Sequence, residues 1–217
     1  MSDGDARGPL HDEPRPAATH DRVLVHEGMV WDLVRESFDL GNAGRLTREY
    51  VAHPGAVAVL ALDEDEQVLV IQQYRHPAGS HLWELPAGLL DVDGEEPRDA
   101  AARELYEEAD AEADRWEVLV DYLSSPGGSS EGLRVYLARD VREVPADRRH
   151  ERHGEELGMP TRWVPLDELV DGVLAGRLHS PSLVVGALAA HALRARGWTG
   201  LRPVGSEWTV RGGGRAV

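Results

Sequence analysis

Short apolar runs alternate with polar turns along most of the chain, a pattern that predicts strands broken by a few helices. Residues 30–40 and 45–53 read as two strands around the turn Gly41-Asn42-Ala43-Gly44. Their alternation is imperfect, which fits a bulge or a change of face. Such a hairpin needs a surface to pack on, either the main domain or a second subunit. Residues 56–62 and 68–74 are almost continuously apolar around an acidic turn, as in central strands covered on both faces. A short strand follows at 81–85. An Ala-rich segment opening at Pro97 predicts a helix. Strands at 116–125 and 133–138 flank the Gly-rich turn SSPGGSSEG. Residues 140–160 form a long charged loop. A strand at 161–164 and helices at 166–175 and 182–196 complete the domain, and no internal repeat is present. Residues 1–22 and 198–217 read as tails. The organisation is a tail (1–22), N-terminal strands (23–55), a main domain (56–197) and a second tail (198–217).

Charge and composition narrow the function. The formal net charge of −16 argues against nucleic acid and against anionic membrane surfaces as partners. A phosphorylated small molecule remains compatible, because local arginines and a metal can reverse the field. The chain has no cysteine, which excludes disulfides, thiolate catalysis and zinc–thiolate sites. No apolar run approaches the roughly 20 residues of a membrane span, and no signal pattern opens the chain, so a cytoplasmic location is expected.

The chemistry concentrates in PAGLLDVDGEEPRDAAARELYEEADA, residues 86–111. On a helix, Glu104 and Glu108 project from one face at i, i+4, with Glu107 beside them. Carboxylates one turn apart, next to a tight Pro-Ala-Gly turn, suit a hard cation that keeps waters and substrate phosphates in its shell. An acidic run can equally be a solvated helix face. The surrounding spacing decides between them. Gly88, Glu95, Arg103, Glu104, Glu107 and Glu108 stand where the Nudix box, Gly-x5-Glu-x7-Arg-Glu-U-x-Glu-Glu-x-Gly-U, has its fixed residues, so the stretch resembles that box. Leu105 and Ala111 fill its aliphatic places. Six residues rather than five separate Gly88 from Glu95, and Asp110 replaces the last glycine. The first departure falls in a loop, and Asp tolerates the left-handed backbone a helix end needs.

The resemblance implies a Nudix-type α/β/α sandwich with a mixed sheet, in the broad α/β (α+β) class, carrying an N-terminal β-hairpin subdomain. It implies a magnesium-dependent hydrolase, with manganese as a substitute. Glu104 and Glu108 would bind metal with Glu107 assisting, and the Ala87 carbonyl would join them. Gly88, Glu95 and Arg103 would be structural, the last two clamping the loop to the helix. Outside the box, LSSPGGSSE is similar to ADP-ribose pyrophosphatases. That likeness assigns Arg48, Arg75, Leu89, Ser125 and Glu131 to substrate and the N-terminal strands to a homodimer interface. The catalytic base would come from HGEELGM: Glu155 first, then Glu156. The expected reaction is hydrolysis of ADP-ribose to AMP and ribose 5-phosphate. Another nucleoside diphosphate sugar or dinucleotide is the alternative substrate, and a silent sensor the alternative role. Read without the resemblance, Arg75 is a phosphate ligand or a surface ion pair, Glu84 a supporting carboxylate or a surface residue, and Trp31 a packing residue or a ligand contact.

Overall fold

The computed structural model describes residues 10–152 and 158–211. Its elements run β1 (Ala18–His26), β2 (Asp32–Asp39), β3 (Arg45–Ala52), β4 (Ala56–Ala61), β5 (Gln67–Arg75), β6 (Ser80–Glu84), β7 (Ala87–Leu89), α1 (Pro97–Ala109), β8 (Ala111–Leu123), β9 (Gly132–Glu143), β10 (Thr161–Pro165), α2 (Leu166–Leu174), α3 (Pro181–Arg194) and β11 (Arg202–Pro203). They form three sheets, ordered β1-β2-β3, β10-β5-β6 and β11-β8-β9-β4-β7. Among the pairs of named strands, β4 with β9 is parallel and the others are antiparallel.

Strand β4 shows why both faces of the large sheet are covered. Every one of its residues is buried. Val57, Val59 and Ala61 pack in a cluster with Ala100, Ala101, Leu105 and Ala109 of α1. Ala56, Ala58 and Leu60 pack in a second cluster with Leu166 and Leu169 of α2 and Leu183, Ala187 and Ala190 of α3. A period-two strand thus feeds two cores, one on each side. Each fully buried Val or Leu contributes about 1.5–3 kcal/mol, so this layer holds the molecule together. The result is the helix–sheet–helix sandwich expected from the sequence. The two apolar runs around the acidic turn do not share a sheet: β4 and β5 lie in different ones, joined by an isolated bridge between Leu62 and Val68.

Three boundaries differ from the sequence reading. The N-terminal unit has three strands, because β1 begins at Ala18 inside the stretch read as a tail and pairs along β2. Strand β9 continues to Glu143, into the stretch read as loop. Residues 198–211 are anchored rather than trailing. Arg134, 3% exposed, makes two hydrogen bonds to Asp121 (2.7 and 2.9 Å) and donates to the Ser206 and Glu207 carbonyls at 2.9 and 3.0 Å. Its guanidinium also lies 4.8 Å from the Trp208 ring centre, a cation–π contact. This segment passes so close to β9 that a Cβ on Gly132 would fall 1.9 Å from the Val210 carbonyl oxygen. No helix among the described residues is long and apolar enough to cross a membrane.

Candidate active site

Helix α1 opens with Pro97 at its first turn, where a missing N–H costs nothing, and Asp99 favours the positive end of the helix dipole. It ends at Asp110, whose φ of 50° and ψ of 40° are left-handed. Aspartate there does what glycine does in the box pattern. The Asp110 side chain also accepts a 2.7 Å bond from Arg152, whose Nε donates to the Glu107 carbonyl at 3.0 Å. The end of the acidic helix is therefore capped from the loop that follows β9.

The inward face of α1 carries Glu104 and Glu108, 9% and 5% exposed. Both reach the backbone of β7. Glu108 Oε2 accepts the Ala87 N–H at 2.8 Å. Glu104 sits so close to Gly88 that a Cβ there would lie 1.9 Å from Glu104 Oε1. Glycine is required here for the close approach of a carboxylate, not for its backbone angles. Arg103 ties the assembly to the preceding loop through two 3.0 Å bonds to Glu95, and reaches Glu104 at 2.6 Å and Glu107 at 3.3 Å. The hydrogen bonds to Glu95 and the charge of Glu104 hold the guanidinium pKa well above its ordinary value. Among the described residues no three His, Asp or Glu side chains form a closed metal cage. The donor set is an open one, two carboxylates against a strand backbone. That suits a hard cation completing its shell with water and phosphate oxygen.

Beyond β7 lies a cleft of about 560 Å³, within the usual range for small-molecule sites. Ala87, Gly88 and Leu89 of β7 line it together with Arg75 and Glu84. His53, Tyr122, Ser124 and Glu131 line it too, as do Ser180 and Ser182 at the start of α3. Arg75 grips the buried Glu84 through two 2.9 Å bonds.

The NUDIX domain profile matches residues 52–183, more than half of the chain. The chain belongs to the Nudix family. An ADP-ribose pyrophosphatase of Mycobacterium tuberculosis is 44% identical over 187 residues, covering 86% of this chain and 88% of that protein. A methanol dehydrogenase activator of Bacillus methanolicus is 38% identical over 117 residues, which is 54% of this chain and 63% of that one. A crystal structure of an ADP compounds hydrolase superposes with a TM-score of 0.68 at 18% identity, covering 86% of this chain and 99% of its own, a likeness of fold.

Within the Nudix domain, the geometry gathers Arg75, Ala87, Gly88, Leu89 and Glu131 around one cleft, with Glu104 and Glu108 behind its β7 wall. Arg48 and Ser125 stand apart from the cleft wall. Arg48 is exposed on β3 and donates to the Thr47 carbonyl at 2.8 Å. Ser125 is exposed on the Gly-rich turn, and its neighbour Ser124 faces the cleft instead. The Gly128, Ser129, Ser130 and Glu131 N–H groups of that turn are bonded within the chain, to Ser125, Val51 and Ser129. Glu155 and Glu156 lie outside the described residues. Of the cleft residues, His53, Tyr122, Ser180 and Ser182 had no signal in the sequence, since each stands in a stretch that reads as ordinary strand, turn or helix start.

Proposed function

We propose that this Nudix protein uses Mg²⁺, for which Mn²⁺ substitutes, to hydrolyse ADP-ribose to AMP and ribose 5-phosphate in the cytoplasm. One observation carries the reading: the box carboxylates meet the β7 backbone that lines a cleft large enough for a nucleotide sugar, which Arg75 also lines. The relative from Mycobacterium tuberculosis, at 44% identity over 86% of this chain, supports the choice of substrate.

Glu104 and Glu108 would hold the cation, with Glu107 and the Ala87 carbonyl assisting. The cation would offset phosphate charge and lower the pKa of the attacking water. Arg103, clamped to Glu95, keeps Glu104 aimed at β7. Arg75 sits where a guanidinium can meet a phosphate, held there by Glu84. Leu89 and Glu131 would contact the rest of the substrate, with Arg48 and Ser125 assigned at its margins by likeness to the subfamily. Glu155, with Glu156 next to it, is the proposed base that takes the proton of water.

Purified protein with Mg²⁺ should release AMP and ribose 5-phosphate in equal amounts. Chelation should stop the reaction and added Mg²⁺ restore it. A panel of nucleoside diphosphate sugars and dinucleotides ranked by kcat/KM should place ADP-ribose first. No turnover of any of them would reject the proposal.

The N-terminal sheet is the proposed homodimer surface. Val23, Leu24 and Val25 on β1 and Trp31 just before β2 are 40–51% exposed, an apolar set that a second subunit would cover. Sedimentation should give twice the 23.8 kDa chain mass, and a persistent monomer would remove this part.

A further inference from the structure

His53 directly follows β3 and is among the residues lining the cleft, although only 10% of its side chain is exposed. Its ring is fixed by what surrounds it. The Gly55 N–H donates to Nδ1 at 3.1 Å. Nδ1 is then an acceptor, which leaves the proton of the neutral ring on Nε2. Nε2 stands 3.6 Å from Glu131 Oε1. Burial lowers the His53 pKa against the opposing pull of Glu131, so the ring favours its neutral form.

The backbone around this pair is stitched together. The Val51 N–H donates to the Gly128 carbonyl at 2.9 Å, and the Ser130 N–H to the Val51 carbonyl at 3.0 Å. The His53 N–H donates to Ser130 Oγ at 2.9 Å. The turn that leads to Glu131 is thus docked on the end of β3. Glu131 Oε2 accepts from Ser124 Oγ, so each carboxylate oxygen has a neighbour that directs it. Unlike His53, Glu131 is open to a ligand: it lines the cleft and its side chain is 26% exposed.

The choice of histidine has a chemical consequence. A lysine or arginine at this place would offset the charge of the carboxylate. A neutral imidazole directs it with one N–H and leaves its charge for a hydroxyl or amino donor of the substrate, while a phosphate would be repelled. At 3.6 Å the N–H guides the carboxylate without a full hydrogen bond. Contacts of this kind around a site often tighten only when the substrate is bound.

We propose that His53 is a positioning residue that holds the Glu131 carboxylate in the orientation in which it meets a hydroxyl or amino donor of the bound nucleotide sugar. This rests on the reading above, in which Glu131 contacts the substrate, and adds to it the residue that aims Glu131.

Two substitutions divide the imidazole into its two halves. His53→Asn keeps an oxygen where Nδ1 accepts the Gly55 N–H but is too short to reach Glu131. His53→Gln places an amide N–H near the position of Nε2 and gives up the Gly55 contact. On ADP-ribose with Mg²⁺, kcat/KM of the Asn variant should fall about three- to tenfold, through KM, with Tm near that of the wild type. The Gln variant should melt lower and keep kcat/KM within about twofold of wild type. Glu131→Gln should itself lower kcat/KM, and adding His53→Asn to it should lower it less than about twofold further, because both changes remove one contact. Wild-type constants for the Asn variant would overturn the proposal. So would a Gln variant as impaired as the Asn variant, or an Asn effect undiminished beside Glu131→Gln. If Glu131→Gln changes nothing while the wild type hydrolyses ADP-ribose, the role of His53 falls and the reaction stands. If the wild type turns over another nucleoside diphosphate sugar instead, only the named substrate is wrong, and the same variants decide the role of His53 on that sugar. A wild type that processes none of these compounds overturns both.

Discussion

Glu108→Gln is expected to lower kcat/KM for ADP-ribose about a thousandfold while leaving the fold in place. The substitution keeps the side-chain volume and an oxygen able to accept the Ala87 N–H that Glu108 now accepts at 2.8 Å. It removes the negative charge from a residue only 5% exposed. A cation held between this side chain and a diphosphate loses a full unit of opposing charge where water cannot replace it. A loss of about 4 kcal/mol of transition-state stabilisation corresponds to three factors of ten. AMP release and thermal melting on the same preparation check the claim. Activity within tenfold of wild type would show that Glu108 holds no catalytic metal.

Gly88→Ala is expected to separate activity from stability. The backbone of Gly88 is not in the left-handed region, so alanine fits its φ and ψ. The added Cβ would meet the Glu104 side chain, with Oε1 at 1.9 Å and Cδ at 2.1 Å. A glutamate can swing away from such a clash at little energetic cost. It then no longer lies against β7. Displacing a catalytic group by about 1 Å can cost a hundredfold in rate, so at least that loss is expected with only a small change in Tm. Steady-state kinetics beside a melting curve tests this. A clear fall in Tm with full activity in the folded fraction would mean that Glu104 is packing rather than chemistry. Gly132 makes the contrast plain. There the obstacle is the Val210 backbone, which cannot rotate out of the way, so the chain itself would have to shift.

The parts of the fold legible in the sequence are those that bury apolar side chains in local runs or carry strong helix formers and end signals. Strands β4 and β5, helix α1 and the two C-terminal helices are of this kind. Asp110 was legible too, because only a few residue types accept its backbone conformation. The misses have one physical character. Strand β1 is exposed at every position, so it pairs with β2 through backbone hydrogen bonds and leaves no hydropathy pattern. The C-terminal segment is held by a buried arginine and one tryptophan, contacts far apart in sequence. The box residues were visible because Gly88, Glu95 and the Arg103–Glu108 cluster stand at one characteristic spacing within a single stretch. His53, just after β3, and Tyr122 on β8 come to the site from positions about 70 residues apart, and no local pattern links them.

The parallel pairing of β4 with β9 sets the order in which this molecule can come together. Ala56 lies opposite Leu133, and Ala61 opposite Ala138. The intervening chain must loop back before that register exists, and such distant pairings form slowly. The β1-β2-β3 meander has no such wait, since each strand neighbours the next in the chain. A ribosome-bound fragment ending before residue 138 would therefore hold an N-terminal sheet and a nascent acidic helix, but not the full β4–β9 register. The cleft closes later still, once Ser180 and Ser182 at the start of α3 follow the ninth strand.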